Sequence, residues 1–216
     1  MKYIFCAGAP GSKWSSLIKN IYYSPSVDRT DYSEARTYWH DAPGQLELMH
    51  LGAYFDPGME FDLPVDLNTL SQTELERRFD EPFSGTGTRI IKSHIFAHNI
   101  DFLRQTWPDC PIILAHRGDD AALGWWVKCG HFNITYPSYN KYYVDLRTMA
   151  RIIAEQNKDI CLAWNKHDGK VPANNLELAE ILGIELPTGD YFQDYKSITT
   201  KLQLLQRDYL HKLLKC

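Results

Sequence analysis

The hydrophobic positions of this chain fall into two rhythms. Four short runs have strand length: Tyr3 to Ala7 (YIFCA), Thr88 to His94 (TRIIKSH), Pro111 to Ala115 (PIILA) and Ile160 to Trp164 (ICLAW). Elsewhere apolar residues recur every third or fourth position, near 15–22, 99–107, 120–130, 144–157, 174–182 and 195–214. These stretches predict helices, the fifth stopped by Gly183 and the last one Leu-rich. Strands alternating with helices predict an α/β fold, a parallel sheet flanked by helices on both faces.

Two stretches escape both rhythms. Residues 20–88 hold turns at Asp41-Ala42-Pro43-Gly44 and Phe55-Asp56-Pro57-Gly58, and a capping box at Ser71–Glu74 that opens a short helix to about Phe79. His131 to Tyr143 reads as an aromatic loop. Long irregular insertions in compact domains often serve as lids or substrate walls. Residues 1–216 otherwise run without repeat or linker and read as one domain.

The first strand leads into Gly8-Ala9-Pro10-Gly11-Ser12-Lys13 and then a helix start at Trp14-Ser15-Ser16-Leu17. A strand, a glycine-rich turn and a helix N-terminus together cradle anions, because bare amides and the helix dipole both favour phosphate. A nucleotide phosphate is therefore expected at residues 9–16, in a P-loop-like arrangement. The ordinary P-loop spacing is not matched, and Trp14 stands where Ser or Thr would hold magnesium.

Ligands of open α/β sheets sit outside the carboxyl ends of the strands. Three strands here end in polar residues: Ser12 and Lys13, then Lys92 and His94, then His116 and Arg117. No apolar run ends in Asp, the residue that usually sits near the metal in magnesium-dependent phosphoryl transfer. The edge suits an anionic cofactor handled by lysine and arginine, without metal. A net charge of −4 gives no basic field for nucleic acid or an anionic membrane. No apolar run has the length of a membrane span, and the N-terminus lacks a signal-peptide shape. Five scattered cysteines suggest neither a disulfide framework nor a zinc site, so a reducing, cytoplasmic location is expected.

Four stretches resemble the sulfotransferases that use 3′-phosphoadenosine-5′-phosphosulfate (PAPS). Gly8 to Ser15 resembles the family's 5′-phosphosulfate loop, and Ile91 to His94 its K-[TS]-H strand end. Ile113 to Trp126 resembles the 3′-phosphate segment, and Ile160 to Ile184 the strand, loop and L-x-x-x-x-L-G segment further on. Together they cover about half of the chain. The resemblance implies a single-domain sulfotransferase fold that moves a sulfuryl group from PAPS to a hydroxyl, leaving 3′-phosphoadenosine-5′-phosphate (PAP). Here Gly11 and Lys13 occupy positions that the family fills the other way round, and Gly124 falls where it places a phosphate-binding Ser.

On that resemblance His94 is the general base, and Lys13 and Lys92 stabilise the leaving phosphate and the transferring group. Ala9, Pro10, Gly11, Ser12, Lys13, Trp14, Ser15 and Ser16 hold the 5′ side. Arg117, with Gly124 and help from Lys128, holds the 3′-phosphate, and Trp14 or Trp164 stacks on adenine. Each assignment has a plainer rival: His94 bonded to backbone, Lys92 a solvated strand-end charge, Arg117 paired with Asp119 or Asp120. Trp39, His40, Tyr54, His131, Phe132 and Tyr136 are weaker candidates for the wall of an acceptor pocket. Aromatic content, with six Trp and thirteen Tyr, leans towards a phenol, alcohol or sugar acceptor. Two rival functions remain open: a kinase using Mg-ATP at the same loop, and a PAPS- or PAP-binding protein without transfer.

Overall fold

The computed structural model describes residues 1–36, 38–42, 45–130, 132, 142–172 and 174–185. Three parallel strands form its centre: β1 (Tyr3–Gly8), β4 (Arg89–Lys92) and β5 (Ile112–Ala115), in the order β4-β1-β5. Cys6 lies level with Lys92 on one side and Ile113 on the other. The side chains of β1 alternate between two cores, as the pleat of a strand requires. Ile4 and Cys6 face the layer built by α1 (Trp14–Tyr22), α4 (Asp119–Lys128), α5 (Leu146–Lys166) and α6 (Asn175–Leu182). Tyr3, Phe5 and Ala7 face α2 (Gln72–Asp80) and α3 (Ile100–Thr106), where Tyr3, Phe5, Phe79, Phe96 and Trp107 pack largely edge to face. Helices thus cover both faces of an α/β sheet.

Local sequence explains the helix limits. The Ser71 hydroxyl accepts from the Glu74 amide, as the capping box predicts, and Asp145 and Asn174 cap α5 and α6 in the same way. Gly183 ends α6 in the left-handed conformation. The Asp56–Met59 turn is closed by a backbone hydrogen bond.

Two expectations change. Ile160 to Trp164 is not a fourth strand but the last part of α5, a 21-residue helix. Ile160 and Ala163 are buried while Leu162 is 58% exposed, which is helical spacing. Five consecutive apolar residues resemble a strand only when the helix running into them is cut short at Asn157. The aperiodic stretch also holds an antiparallel hairpin, β2 (Tyr38–Ala42) and β3 (Gln45–His50), that its composition did not announce. The helix expected at 195–214 lies outside the described residues, as does most of the aromatic loop 131–143. Among the described residues no helix is long and apolar enough to cross a membrane.

Candidate functional site

The loop between β1 and α1 is held from three directions. Gly11 has φ +77, and a Cβ there would collide with the Ala122 carbonyl of α4. Ser12 donates its amide to the Ala9 carbonyl at 3.0 Å, and Lys13 begins α1 in the left-handed conformation without any side-chain cap. The first-turn amides of α1 therefore open into the loop. Ser12 is buried beneath it, its hydroxyl without a hydrogen-bond partner among the described residues. Buried polar atoms are rarely left unpaired, so this geometry suits an incoming acceptor such as a phosphate oxygen.

At the end of β4, Lys92 and His94 meet around Tyr54. The Lys92 ammonium lies 5.4 Å from the Tyr54 ring centre, and the Tyr54 hydroxyl lies 3.3 Å from His94 Nε2. Lys92 is only 3% exposed, so it is no solvated charge. It donates to the Leu51 carbonyl, and burial draws its pKa down to about 8 against the attraction of Asp31. Asp31 is itself buried, accepting from the Tyr22 hydroxyl at 2.9 Å and the Ala53 amide at 2.7 Å. A side chain at Gly52 would strike this carboxylate, so Asp31 and Gly52 together fix the segment that carries Tyr54.

His94 is enclosed. Its ring stacks on Trp14 at 4.3 Å with planes 16° apart, and Tyr54 and Tyr143 meet it edge-on. Nδ1 is bonded to the Gly8 carbonyl, so the plainer expectation of a backbone-bonded histidine holds for that nitrogen. A carbonyl only accepts; Nδ1 therefore carries the proton and Nε2 the lone pair. Burial lowers the pKa of His94, with the Asp56 carboxylate opposing that shift.

The third cationic group gathers on Trp125, which lies within the segment Ile113 to Trp126 but has no assigned role there. Lys13 Nζ sits 3.9 Å from its ring centre, the Arg117 guanidinium carbon 5.6 Å and Lys128 Nζ 5.7 Å. Arg117 also donates to the Gly11 carbonyl at 3.2 Å, tying the end of β5 to the loop. The alternative of an ion pair with Asp119 is not what forms: Asp119 accepts from Asn157, whose amide also donates to the Arg117 carbonyl. Cation–π contact favours this clustering, and three positive charges on one side of an indole favour an anion nearby. Lys13 thus keeps company with Arg117, while Lys92 is turned towards Leu51.

The remaining candidates are spread out. Ala9, Pro10 and Trp14 are buried, Ser15 is half-buried, and the side chain of Ser16 lies outside the described residues. Gly124 is an exposed position of α4 with open space around it, so it fills no gap that a serine would have filled. Trp164 leaves a helix, not a strand, and borders a cavity of about 350 Å³ with Leu17, Leu114, His116, Gly169 and Leu182. Phe132 packs edge-on against Trp126 at 4.2 Å. Trp39 and His40 lie on β2, while His131 and Tyr136 fall outside the described residues, as do the side chains of Trp39 and His40.

Set against family models, curated proteins and solved structures, the chain matches none. The edge itself brings together an uncapped helix start, three clustered cations, and a buried lysine and histidine sharing one tyrosine.

Proposed function

We propose that this protein binds PAPS at the carboxyl edge of its sheet and transfers the sulfuryl group to a hydroxyl of a small acceptor, on a sulfotransferase-type fold. The observation that carries the reading is the meeting of Lys13, Arg117 and Lys128 over Trp125, beside the first turn of α1. A ligand with two separate anionic groups, one at the loop and one at Arg117, matches that layout. The cavity bordered by Trp164 and His116 adjoins α1 through Leu17 and has the volume of a small-molecule site, and we assign the adenine to it.

In this reading the cofactor supplies the sulfuryl group, and the chain supplies charge and a base. Amides of the loop and Lys13 neutralise the leaving phosphate, and Arg117 holds the 3′-phosphate through a planar fork that lysine reproduces poorly. The acceptor gives its proton to His94 Nε2 as its oxygen attacks sulfur, and the sulfur–oxygen bond to the phosphate breaks with its electron pair. Nε2 already has a hydroxyl, that of Tyr54, as partner; an acceptor hydroxyl reaches it only when Tyr54 moves aside.

The enclosure of His94, 2% exposed, favours a second reading in which PAPS or PAP is bound without transfer. Incubation with PAPS and a panel of phenols, alcohols and sugars, read by mass spectrometry, separates the two. Sulfated product with the wild type and none with His94→Ala supports transfer. Cofactor binding without product from any acceptor supports the second reading.

A further inference from the structure

Asp56 is a carboxylate that the sequence places in an ordinary turn and the structure buries completely. Its Oδ1 accepts from the Ser93 hydroxyl at 2.5 Å and from the His94 amide at 2.6 Å. Its Oδ2 lies 3.8 Å from His94 Nε2 and has no hydrogen-bond partner among the described residues. A fully buried carboxylate oxygen without a partner is costly unless another state of the molecule supplies one. The Ile95 amide also lies beside this carboxylate, and a proton on Nε2 would give Oδ2 a charged donor.

We infer that Asp56 is a positioning residue for His94: it fixes the imidazole with Nε2 as the basic nitrogen and receives the N–H that forms there. Two donors on Oδ1 lock the backbone at Ser93–His94, so the ring meets the Gly8 carbonyl through Nδ1. That leaves Nε2 between the Tyr54 hydroxyl and Asp56 Oδ2. With Nε2 unprotonated, the Tyr54 hydroxyl donates to it. When Nε2 takes a proton from a hydroxyl donor, the new N–H has Oδ2 as its acceptor, and the imidazolium charge is balanced by the carboxylate. Among the described residues, the titratable groups facing the ring include Tyr54, Asp56 and Tyr143; Tyr142 lies near Asp56, and Lys92 sits across Tyr54. This deepens the proposed function and rests on it for the identity of the proton donor, but its test needs neither cofactor nor acceptor.

The experiment is a ¹⁵N NMR pH titration of His94 in the full chain, comparing wild type, Asp56→Asn and Tyr54→Phe. The wild type is expected to show the Nδ1-protonated tautomer. Asp56→Asn keeps a group at Oδ1 but removes the charge, and is expected to lower the His94 midpoint by about one pH unit or more. Tyr54→Phe removes a donor to the unprotonated nitrogen and is expected to raise the midpoint, which shows that the site titrates even if Asp56→Asn folds poorly. An Nε2-protonated wild type, or an unchanged midpoint in folded Asp56→Asn, overturns the inference. Loss of PAP binding in the wild type would instead overturn the functional reading, with the His94 titration unaffected.

Discussion

Trp14 and His94 stack face to face, 4.3 Å between ring centres and 16° between planes. One belongs to the first turn of the helix after the loop, the other follows the neighbouring strand. The stack therefore fastens the loop to the end of β4, and it explains why an indole stands where magnesium-dependent loops keep a small hydroxyl. Trp14→Ala is expected to cost about 3–5 kcal/mol, as for other buried aromatic truncations. Trp14→Phe should cost clearly less, because a flat ring still covers the imidazole. Urea unfolding of the two variants checks this.

The loop depends on one glycine more than on its charges. Gly11 adopts φ +77 with its α-hydrogen turned at the Ala122 carbonyl. Gly11→Ala is expected to cost about 1 kcal/mol or more from conformation alone. The collision then displaces the loop from α4 and separates Gly11 from Arg117. Thermal unfolding and PAP titration should show both stability and affinity falling, whereas Gly118→Ala, with nothing near its Cβ position, should change packing little.

Acid should destabilise the fold through its two buried histidines. Burial lowers the pKa of both His94 and His116 from 6.5. Unfolding frees them to bind protons at 6.5, so below that pH the unfolded chain holds more protons than the folded one. Stability from this pair is present above pH 6.5 and is lost as pH falls towards their folded values, by at most about 1.4 kcal/mol per unit for each group. Asp31 and Asp56, raised by burial, act oppositely between 3.8 and their folded values. Melting temperatures from pH 7.5 to 5.5 should decline, and His116→Phe should shallow the decline. The same pH dependence in His116→Phe as in the wild type would contradict the buried, neutral state of that ring.

The three cations on Trp125 should differ in weight. Arg117 is half-buried and bonded to the loop, so Arg117→Ala is expected to weaken PAP binding by about 10–100-fold, the range of a charge-assisted hydrogen bond. Lys128 is exposed, and Lys128→Gln should weaken it only a few-fold, the more so at low salt. Calorimetric titrations at two salt concentrations test the order.

Much of the frame was legible in the chain because the three sheet strands are short apolar runs followed at once by polar residues. The carboxyl edge, with Lys13, Lys92, His94 and Arg117, followed from that arrangement. What escaped was set by tertiary packing. Ile160 to Trp164 looked like a strand because a local run cannot reveal that Met149, Ile153 and Ile160 line one face of a longer helix. Asp56 reads as a turn residue and Asp31 carries no signal, yet they are the buried partners of Ser93 and His94, and of Tyr22 and Ala53, across 9 to 38 positions of sequence. Trp125 looked like one more apolar residue of α4. Only the fold brings three cations to it.

The most direct test of the account is a melting curve with PAP run beside one with Mg-ATP. At 100 times its dissociation constant a ligand adds about 2.7 kcal/mol, a shift of several degrees at roughly 2–4 °C per kcal/mol for a chain of this size. The account requires a shift with PAP, reduced in Arg117→Ala and absent with Mg-ATP. A shift with Mg-ATP alone would contradict it and leave the edge to a kinase.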